Sequence, residues 1–237
     1  MKKIENCIAL ITGADGGIGT ALIDELIKRK AAKIYATGIS IQRLNDLAAK
    51  YSGIIVPVEL DVTKEDSIKS AVTECNDINL LINNAGIELK SDFIGADVTK
   101  KALFEIQVNY IGVISMVNNF LPILKTNPHS FIVNILSVGS TALIKRLATY
   151  CASKAAVHLF TQSIREDLKP WNVDVIAVYP GYVDTSMSSD VNFEKITTES
   201  LSQNICEAFE EGLLDIFPDK MSSAFYGKKP ILITYLK

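Results

Sequence analysis

The 237-residue chain is poor in cysteine, histidine and tryptophan, with four, two and one respectively. Cys7, Cys75, Cys151 and Cys206 are scattered, with no Cys-x-x-Cys pair and no Cys/His cluster, so neither a disulfide frame nor a zinc site is expected. They read as reduced thiols of a cytoplasmic protein. The longest apolar runs, such as residues 7–12, are strand-sized and fall short of the roughly 18 residues a membrane span needs. The start Met1-Lys2-Lys3-Ile4-Glu5 meets Asn6 and no small-residue cleavage site, so no secretory leader is expected. A field of one charge is missing too. With 24 basic and 27 acidic residues the formal charge is only −3, which gives no expectation of a nucleic-acid or membrane partner.

Apolar residues make up 48% of the chain and charged ones 22%, ordinary globular usage that can bury a sizeable core. No linker, repeat or low-complexity tract divides it, so residues 1–237 read as one domain. Short β-branched runs at 7–12, 33–37, 54–58, 80–82, 131–135, 174–178 and 213–216 alternate with helical patterns. The helices fall at about 18–30, 41–51, 64–75, 100–125, 148–168 and 199–211. In the first, Ile18, Leu22, Leu26 and Ile27 recur at helical spacing. After Asp61, Thr63 is expected to cap a helix whose first turn is acidic. Such alternation needs crossover connections. The expected fold class is therefore α/β, a doubly wound, mostly parallel seven-stranded sheet with helices on both faces. A loop rich in Ser, Met and Asp spans about 185–198.

The first strand runs into Thr12-Gly13-Ala14-Asp15-Gly16-Gly17-Ile18-Gly19, with a helix directly after it. Glycines there let backbone turn sharply and approach a pyrophosphate held at the helix N-terminus. The spacing is not Gly-x-Gly-x-x-Gly, and no Gly-Lys-Ser/Thr makes it a P-loop. Alone it could be a structural turn. Three more blocks follow in order: Leu60-Asp61-Val62, Asn83-Asn84-Ala85-Gly86, and Pro180-Gly181-Tyr182-Val183-Asp184-Thr185. With them the chain resembles the classical short-chain dehydrogenase/reductase family over about residues 5–217.

That resemblance implies a three-layer Rossmann fold and an NAD(P)(H) cofactor. By position, Gly13, Asp15, Gly16, Gly17, Ile18 and Gly19 would cradle its pyrophosphate, and Gly38, Ile39 and Ser40 would meet its adenosine ribose. Asp61 and Val62 would hold the adenine, and Asn84, Ala85 and Gly86 would support the adenine–ribose side. Pro180, Gly181, Val183 and Thr185 would meet the nicotinamide. The plainer alternatives are a capping acid for Asp61 and a turn hydroxyl for Thr185. Cofactor choice stays open. No acid ends the second strand, and no cation stands at Ile39 or Gly16. Ser40, with Arg43 one turn on, could take a 2′-phosphate, which tips the balance slightly to NADP(H), whereas Asp15 counts against it.

Tyr150-Cys151-Ala152-Ser153-Lys154 lies in a predicted helix, where residues i and i+4 share a face about 6 Å apart. A free phenol titrates near about 10, and a neighbouring ammonium and a nicotinamide cation would pull that down. Alone such a pair is a weak signal. Ser137 stands thirteen residues before Tyr150, the family's spacing for a catalytic serine, and Asn109 matches its fourth member. The resemblance implies that Ser137 holds a substrate oxygen and Tyr150 moves a proton between alcohol and carbonyl. Lys154 would lower the tyrosine pKa and, like Tyr150, touch the cofactor, while Asn109 would hold a water linking Lys154 to solvent. The alternatives are a catalytically silent NAD(P)-binding sensor, which would normally lack Tyr or Lys, and an epimerase or dehydratase. The latter carry a longer C-terminal part than the about 50 residues after Gly181.

Other expectations concern the surroundings. Val138, Leu143, Ile87, Tyr182 and Met187 would wall an apolar pocket for a small alcohol or carbonyl substrate. Lys145 and Arg146 either attract a carboxylate or phosphate on it or face solvent. Cys151 points about 100° away from Tyr150 around the helix. His129 and His158 have no metal-ligand partner, so no metal is expected. The family commonly pairs through helices 100–125 and 148–168, which implies a homodimer or homotetramer.

Overall fold

The seven anticipated strands form one sheet in the computed structural model, which describes residues 3–51, 53–90, 95–225 and 232–233. They are β1 Ile8–Thr12, β2 Lys33–Gly38, β3 Ile55–Glu59, β4 Leu80–Asn83, β5 Ser130–Ile135, β7 Val173–Val178 and β8 Asp215–Ile216. A short β6, Leu143–Ile144, pairs separately with β9, Leu232–Ile233. The sheet order is β3-β2-β1-β4-β5-β7-β8, and every pairing is parallel. The chain reverses its direction of travel between β1 and β4. Their carboxyl ends, with those of β2 and β5, open the crevice where such sheets place ligands.

Side chains alternate along β1: Ala9 and Ile11 enter one core, Leu10 the other. With both faces covered, the strand reads as an unbroken apolar run. One face packs against α1 (Gly17–Lys28), α2 (Ile41–Ala48) and α7 (Thr198–Glu211), through Leu22, Ile23, Leu26, Leu44 and Phe209. The other packs against α3 (Glu65–Glu74), α5 (Gly112–Leu124) and α6 (Ala148–Leu168), through Ile68, Met116, Phe120 and Val157. A short α8, Lys220–Phe225, follows β8.

Three expectations need correction. The single helix expected at 100–125 is α4 (Val98–Ile106), one π turn at Gln107–Ile111, and then α5. The apolar period continues through the π turn, so the extra residue leaves no mark on the pattern. Thr63 does not cap α3; Lys64 takes the N-cap position, and the Thr63 hydroxyl donates to Asp61 Oδ1 instead. The last strand is two residues long rather than four, since Leu213 and Leu214 stay outside the ladder.

Candidate active site

The glycine-rich turn is shaped by what cannot fit there. Gly13 has φ +64°, and a Cβ on it would lie 3.0 Å from Ala85 Cα. A Cβ on Gly19 would lie 2.3 Å from the Gly13 carbonyl oxygen. The turn leads into α1 with Gly16 as N-cap, so the amides of Gly17, Ile18 and Gly19 lack helical acceptors and can receive an anion. Across the crevice, Thr12 Oγ1 accepts the N–H groups of Asn84 and Ala85, both at 2.9 Å. The Asn84 amide donates to the carbonyls of Thr12 at 2.9 Å and Gly13 at 3.1 Å. The Asn84-Ala85-Gly86 segment is thereby clamped to the glycine turn. This arrangement fits a dinucleotide: a cradle without Cβ atoms, free helix amides, and a rigid floor.

Just beyond β3, Asp61 Oδ1 accepts the Thr63 N–H at 3.0 Å and hydroxyl at 2.6 Å, and Lys64 Nζ lies 3.2 Å from Oδ2. Burial raises its pKa, and these partners outweigh that, leaving it below the ordinary carboxylate value. Val62 packs where a Cβ on Gly112 would come within 2.9 Å. Asp15 reaches across from the glycine turn to Gly38. A Cβ on Gly38 would lie only 2.4 Å from Asp15 Oδ1, so this carboxylate takes the volume of a side chain at the end of β2. Ile39 is 73% exposed, Ser40 begins α2, and Arg43 is exposed on that helix.

Ser137, two residues beyond β5, is extended and caps the 3₁₀ turn Val138–Ser140, its Oγ accepting the Gly139 N–H at 3.1 Å. It lines the same cavity as the Tyr150 phenol, so it is both a cap and a neighbour of that hydroxyl. Tyr150 sits in the first turn of α6. Burial pushes the phenol well above its ordinary pKa, and the nearby Ser137 hydroxyl opposes that only in part. The expected downward pull from Lys154 does not set the direction; desolvation of the phenolate does. Lys154 Nζ lies 5.9 Å from the Tyr150 ring centre and donates to the Ile135 carbonyl at 2.9 Å. Burial lowers the lysine to about 8.

Asn109 lies on the π turn, fully buried. Its Oδ1 accepts the Ile87 N–H at 2.8 Å, and its Nδ2 donates to the Ile87 carbonyl and to Ser153 Oγ, both at 2.9 Å. Ser153 Oγ in turn donates to the Tyr150 carbonyl at 2.7 Å. Asn109 thus ties the loop after β4 to the helix that carries Tyr150 and Lys154. A Cβ on Gly86 would touch both Asn109 Oδ1 (3.2 Å) and Lys154 Nζ (3.3 Å), so the three meet at one point.

A cavity of about 110 Å³ brings Ser137, Tyr150 and Lys154 together with Ile18, Asn84, Gly86, Pro180, Gly181, Val183 and Thr185. The other expected cofactor residues, Gly13, Asp15, Gly16, Gly17, Gly19, Gly38, Ile39, Ser40, Asp61, Val62 and Ala85, do not line it. Val138, Tyr182 and Met187 wall it as expected; Leu143 is exposed and Ile87 stands aside, and Ile144 and Leu147 take their place. Lys145 and Arg146 face outward. The 185–198 segment is anchored by a bridge from Val183 to Ile196, and Tyr182 stacks on Phe193 at 5.6 Å. Cys151 is buried against Gly139, and His158 Nδ1 meets the Tyr179 hydroxyl at 2.9 Å. Among the described residues no group of side chains could hold a metal, and no helix is long and apolar enough to cross a membrane.

Sequence reasoning missed Thr12, Ser153 and Glu88. The first two sit inside quoted motifs and act through hydrogen bonds that only the fold creates. Glu88, two residues beyond Gly86, lines the cavity. Burial, with Asp190 and Glu105 adding to it and Lys90 opposing, raises its carboxyl to about 7.

A glycine-rich turn at the switch point of a parallel sheet, above a Ser–Tyr–Lys group, defines an oxidoreductase scaffold. The chain belongs to the short chain dehydrogenase family, whose model matches residues 7–195. An uncharacterized oxidoreductase of Staphylococcus epidermidis is 33% identical over 213 residues, 88% of this chain and 91% of that protein. The NADP-dependent 3-hydroxy acid dehydrogenase of Schizosaccharomyces pombe is 29% identical over 79% of this chain and 76% of its own. Among solved structures, a short chain dehydrogenase from Burkholderia cenocepacia in complex with NADP superposes with TM-score 0.88 at 35% identity, covering 94% of this chain and 92% of that one. One from Burkholderia phymatum in complex with NAD shares the fold, with TM-score 0.82 at 22% identity and coverage of 94% and 92%.

Proposed function

We propose that this oxidoreductase interconverts an alcohol and a carbonyl with NAD(P)(H), using Tyr150 as the proton donor and acceptor. The observation that carries the reading is the convergence of Ser137, Tyr150 and buried Lys154 on one cavity beside the glycine cradle. A nicotinamide dinucleotide, when bound, supplies or accepts the hydride. Gly13, Gly16, Gly17, Ile18 and Gly19 would hold its pyrophosphate, Gly38 to Ser40 and Asp61 to Val62 its adenosine, and Pro180, Gly181, Val183 and Thr185 its nicotinamide end.

The chain's own residues handle the oxygen. Ser137 donates a hydrogen bond to the carbonyl oxygen and fixes it beside Tyr150. Tyr150, kept protonated by burial, gives its proton to the oxygen as negative charge develops there. Lys154 then faces the phenolate that remains and stabilises it, a cation in a site of low dielectric. Asn109 holds the frame, through Ile87 and Ser153, rather than touching the reacting atoms. Oxidation runs the same steps in reverse.

Retention of the whole Asn–Ser–Tyr–Lys set weighs against a silent sensor. NADP in the related Burkholderia cenocepacia structure, and NADP-dependence in the name of the yeast relative, support NADP(H) as a cofactor, with NAD(H) open. We also infer a homodimer or homotetramer, supported by Leu103, 66% exposed on α4, and Leu159, 66% exposed on α6. A cytoplasmic location is supported by four unpaired, buried thiols. The test is a titration with NADPH and NADH followed by a carbonyl-reduction screen, in which Tyr150→Phe should bind cofactor yet turn over nothing. Absence of binding by either nucleotide defeats the reading.

A further inference from the structure

Among the described residues the cavity is lined by one carboxyl side chain, and the proton transfer does not use it. Glu88 stands on the loop leaving β4 and lines the same cavity as Ser137 and Tyr150. It is half-buried, and its carboxyl receives no hydrogen bond from any described residue. A second acid stands behind it. Glu105, 0% exposed, accepts the Leu89 N–H at 2.8 Å through Oε1, which pins the backbone next to Glu88, and its buried Oε2 has no partner.

Among the described residues no unengaged cation lines the substrate side of the cavity, and Lys195 of the 185–198 segment donates to the Ser188 carbonyl at 2.6 Å. Lys154 is held by the Ile135 carbonyl at the cofactor end. Lys90, beside Glu88 in sequence, pairs with Asp190 of the 185–198 segment. Lys145 and Arg146 are exposed and do not line the cavity. The remaining walls on this side, Val138, Ile144, Leu147 and Met187, are apolar, with Tyr182 beside them. A carboxylate or phosphate brought into such a site would lose its water and meet an acid.

We propose that Glu88 selects the substrate by receiving an ammonium group, so that the preferred substrates are amino ketones and amino alcohols with an apolar body. This rests on the oxidoreductase reading above. An ammonium would satisfy a carboxyl that now has no donor, through a charge-assisted hydrogen bond in a partly desolvated site. The charged and titratable groups facing Glu88 are Lys90, Asp190, Glu105, Tyr150 and Cys151. None of them offers a free cation in competition, since Lys90 is already paired. With the carboxyl raised to about 7, the preference for an ammonium should strengthen as pH rises through that value and more Glu88 ionises.

The experiment uses three ketones of one carbon skeleton ending in an ammonium, a methyl and a carboxylate group, with the matching alcohols as binding probes. Reduction is followed in the wild type, Glu88→Gln and Glu88→Asp, and binding of the alcohols to the cofactor-loaded proteins is followed by calorimetry. In the wild type the ammonium compound should exceed the methyl one by about tenfold or more in kcat/KM and in affinity, with the carboxylate last. Glu88→Gln should collapse the ammonium-to-methyl ratio, and Glu88→Asp should retain part of it. Equal use of ammonium and methyl compounds, or a carboxylate preference, overturns the proposal, as does a ratio unchanged in Glu88→Gln. Selective binding without turnover of any ketone would instead refute the oxidoreductase reading and leave Glu88 as the ammonium-binding residue.

Discussion

Replacing Lys154 by Met should make the cofactor-free protein more stable while abolishing turnover. The lysine is 5% exposed and donates to one carbonyl, that of Ile135. Burial lowers it from 10.5 to about 8, a difference worth about 3 kcal/mol of unfavourable charge burial at neutral pH. Methionine is of similar length, carries no charge and adapts to irregular space. The Ile135 carbonyl would lose its donor, at about 1 kcal/mol, which leaves a net gain of about 2 kcal/mol. For a domain of this size that is a rise of about 5 °C in Tm. The pH dependence gives a second, independent reading. Because the folded pKa is depressed below the unfolded one, the unfolded chain binds more protons between about 8 and 10.5. Wild-type stability should therefore climb relative to Lys154→Met as pH rises through that window, so that the gap closes near its upper end and reverses by about 1 kcal/mol above it. Denaturant unfolding of both proteins at pH 7 and pH 10, with tyrosines and thiols common to each, isolates the lysine. A Lys154→Met protein less stable at pH 7, with a gap that does not change with pH, would refute the reasoning. A gain in stability with loss of turnover would mean that the site keeps a costly charge for function.

Asn109→Ala should remove three hydrogen bonds and leave the half-buried Ile87 backbone without its side-chain partner, lowering stability by about 2–4 kcal/mol in denaturant unfolding. A change under about 0.5 kcal/mol would show that the clamp is not structural. Asp15→Asn removes a carboxylate that lies against Gly38, and should raise NADPH affinity relative to NADH by about fivefold in fluorescence titration. An unchanged ratio would place the 2′-position away from Asp15. The double variant Leu103→Glu, Leu159→Glu should shift the sedimentation of the protein to monomer, and unaltered assembly would move the interface elsewhere on the surface.

Elements with a strict local cause were legible before any coordinates. The glycine turn is one: at Gly13 and Gly19 no side chain can be accommodated, so residue type alone marks the turn. The strands of a sheet covered on both faces are another, since they cannot be written without apolar runs such as Ile8–Thr12. Tyr150 and Lys154 share one helix, and Ser137 closely follows β5, so their juxtaposition follows once the fold class is known. What stayed hidden depends on side chains meeting across distant segments. Asp15 fills the volume beside Gly38, which turns an apparently acid-free strand end into one with a carboxylate. Thr63 has the residue type of a cap but binds Asp61, two residues back, before α3 begins. The π turn at Asn109 keeps its helical period, and the direction of the Tyr150 pKa depends on burial that a helical wheel does not contain. Glu88 carries no motif of its own, and only the folded cavity distinguishes it from a solvated loop acid.

The most direct measurement of the central claim is a single-turnover experiment with reduced nicotinamide cofactor and a carbonyl substrate in excess, comparing wild type with Tyr150→Phe. The account predicts that both proteins bind the cofactor with similar affinity. Loss of the reduced-nicotinamide absorbance should be seen only in the wild type, or at least about a hundredfold faster there, as expected when a positioned general acid is removed. Equal rates in the two proteins would contradict the assignment of Tyr150 as the proton donor.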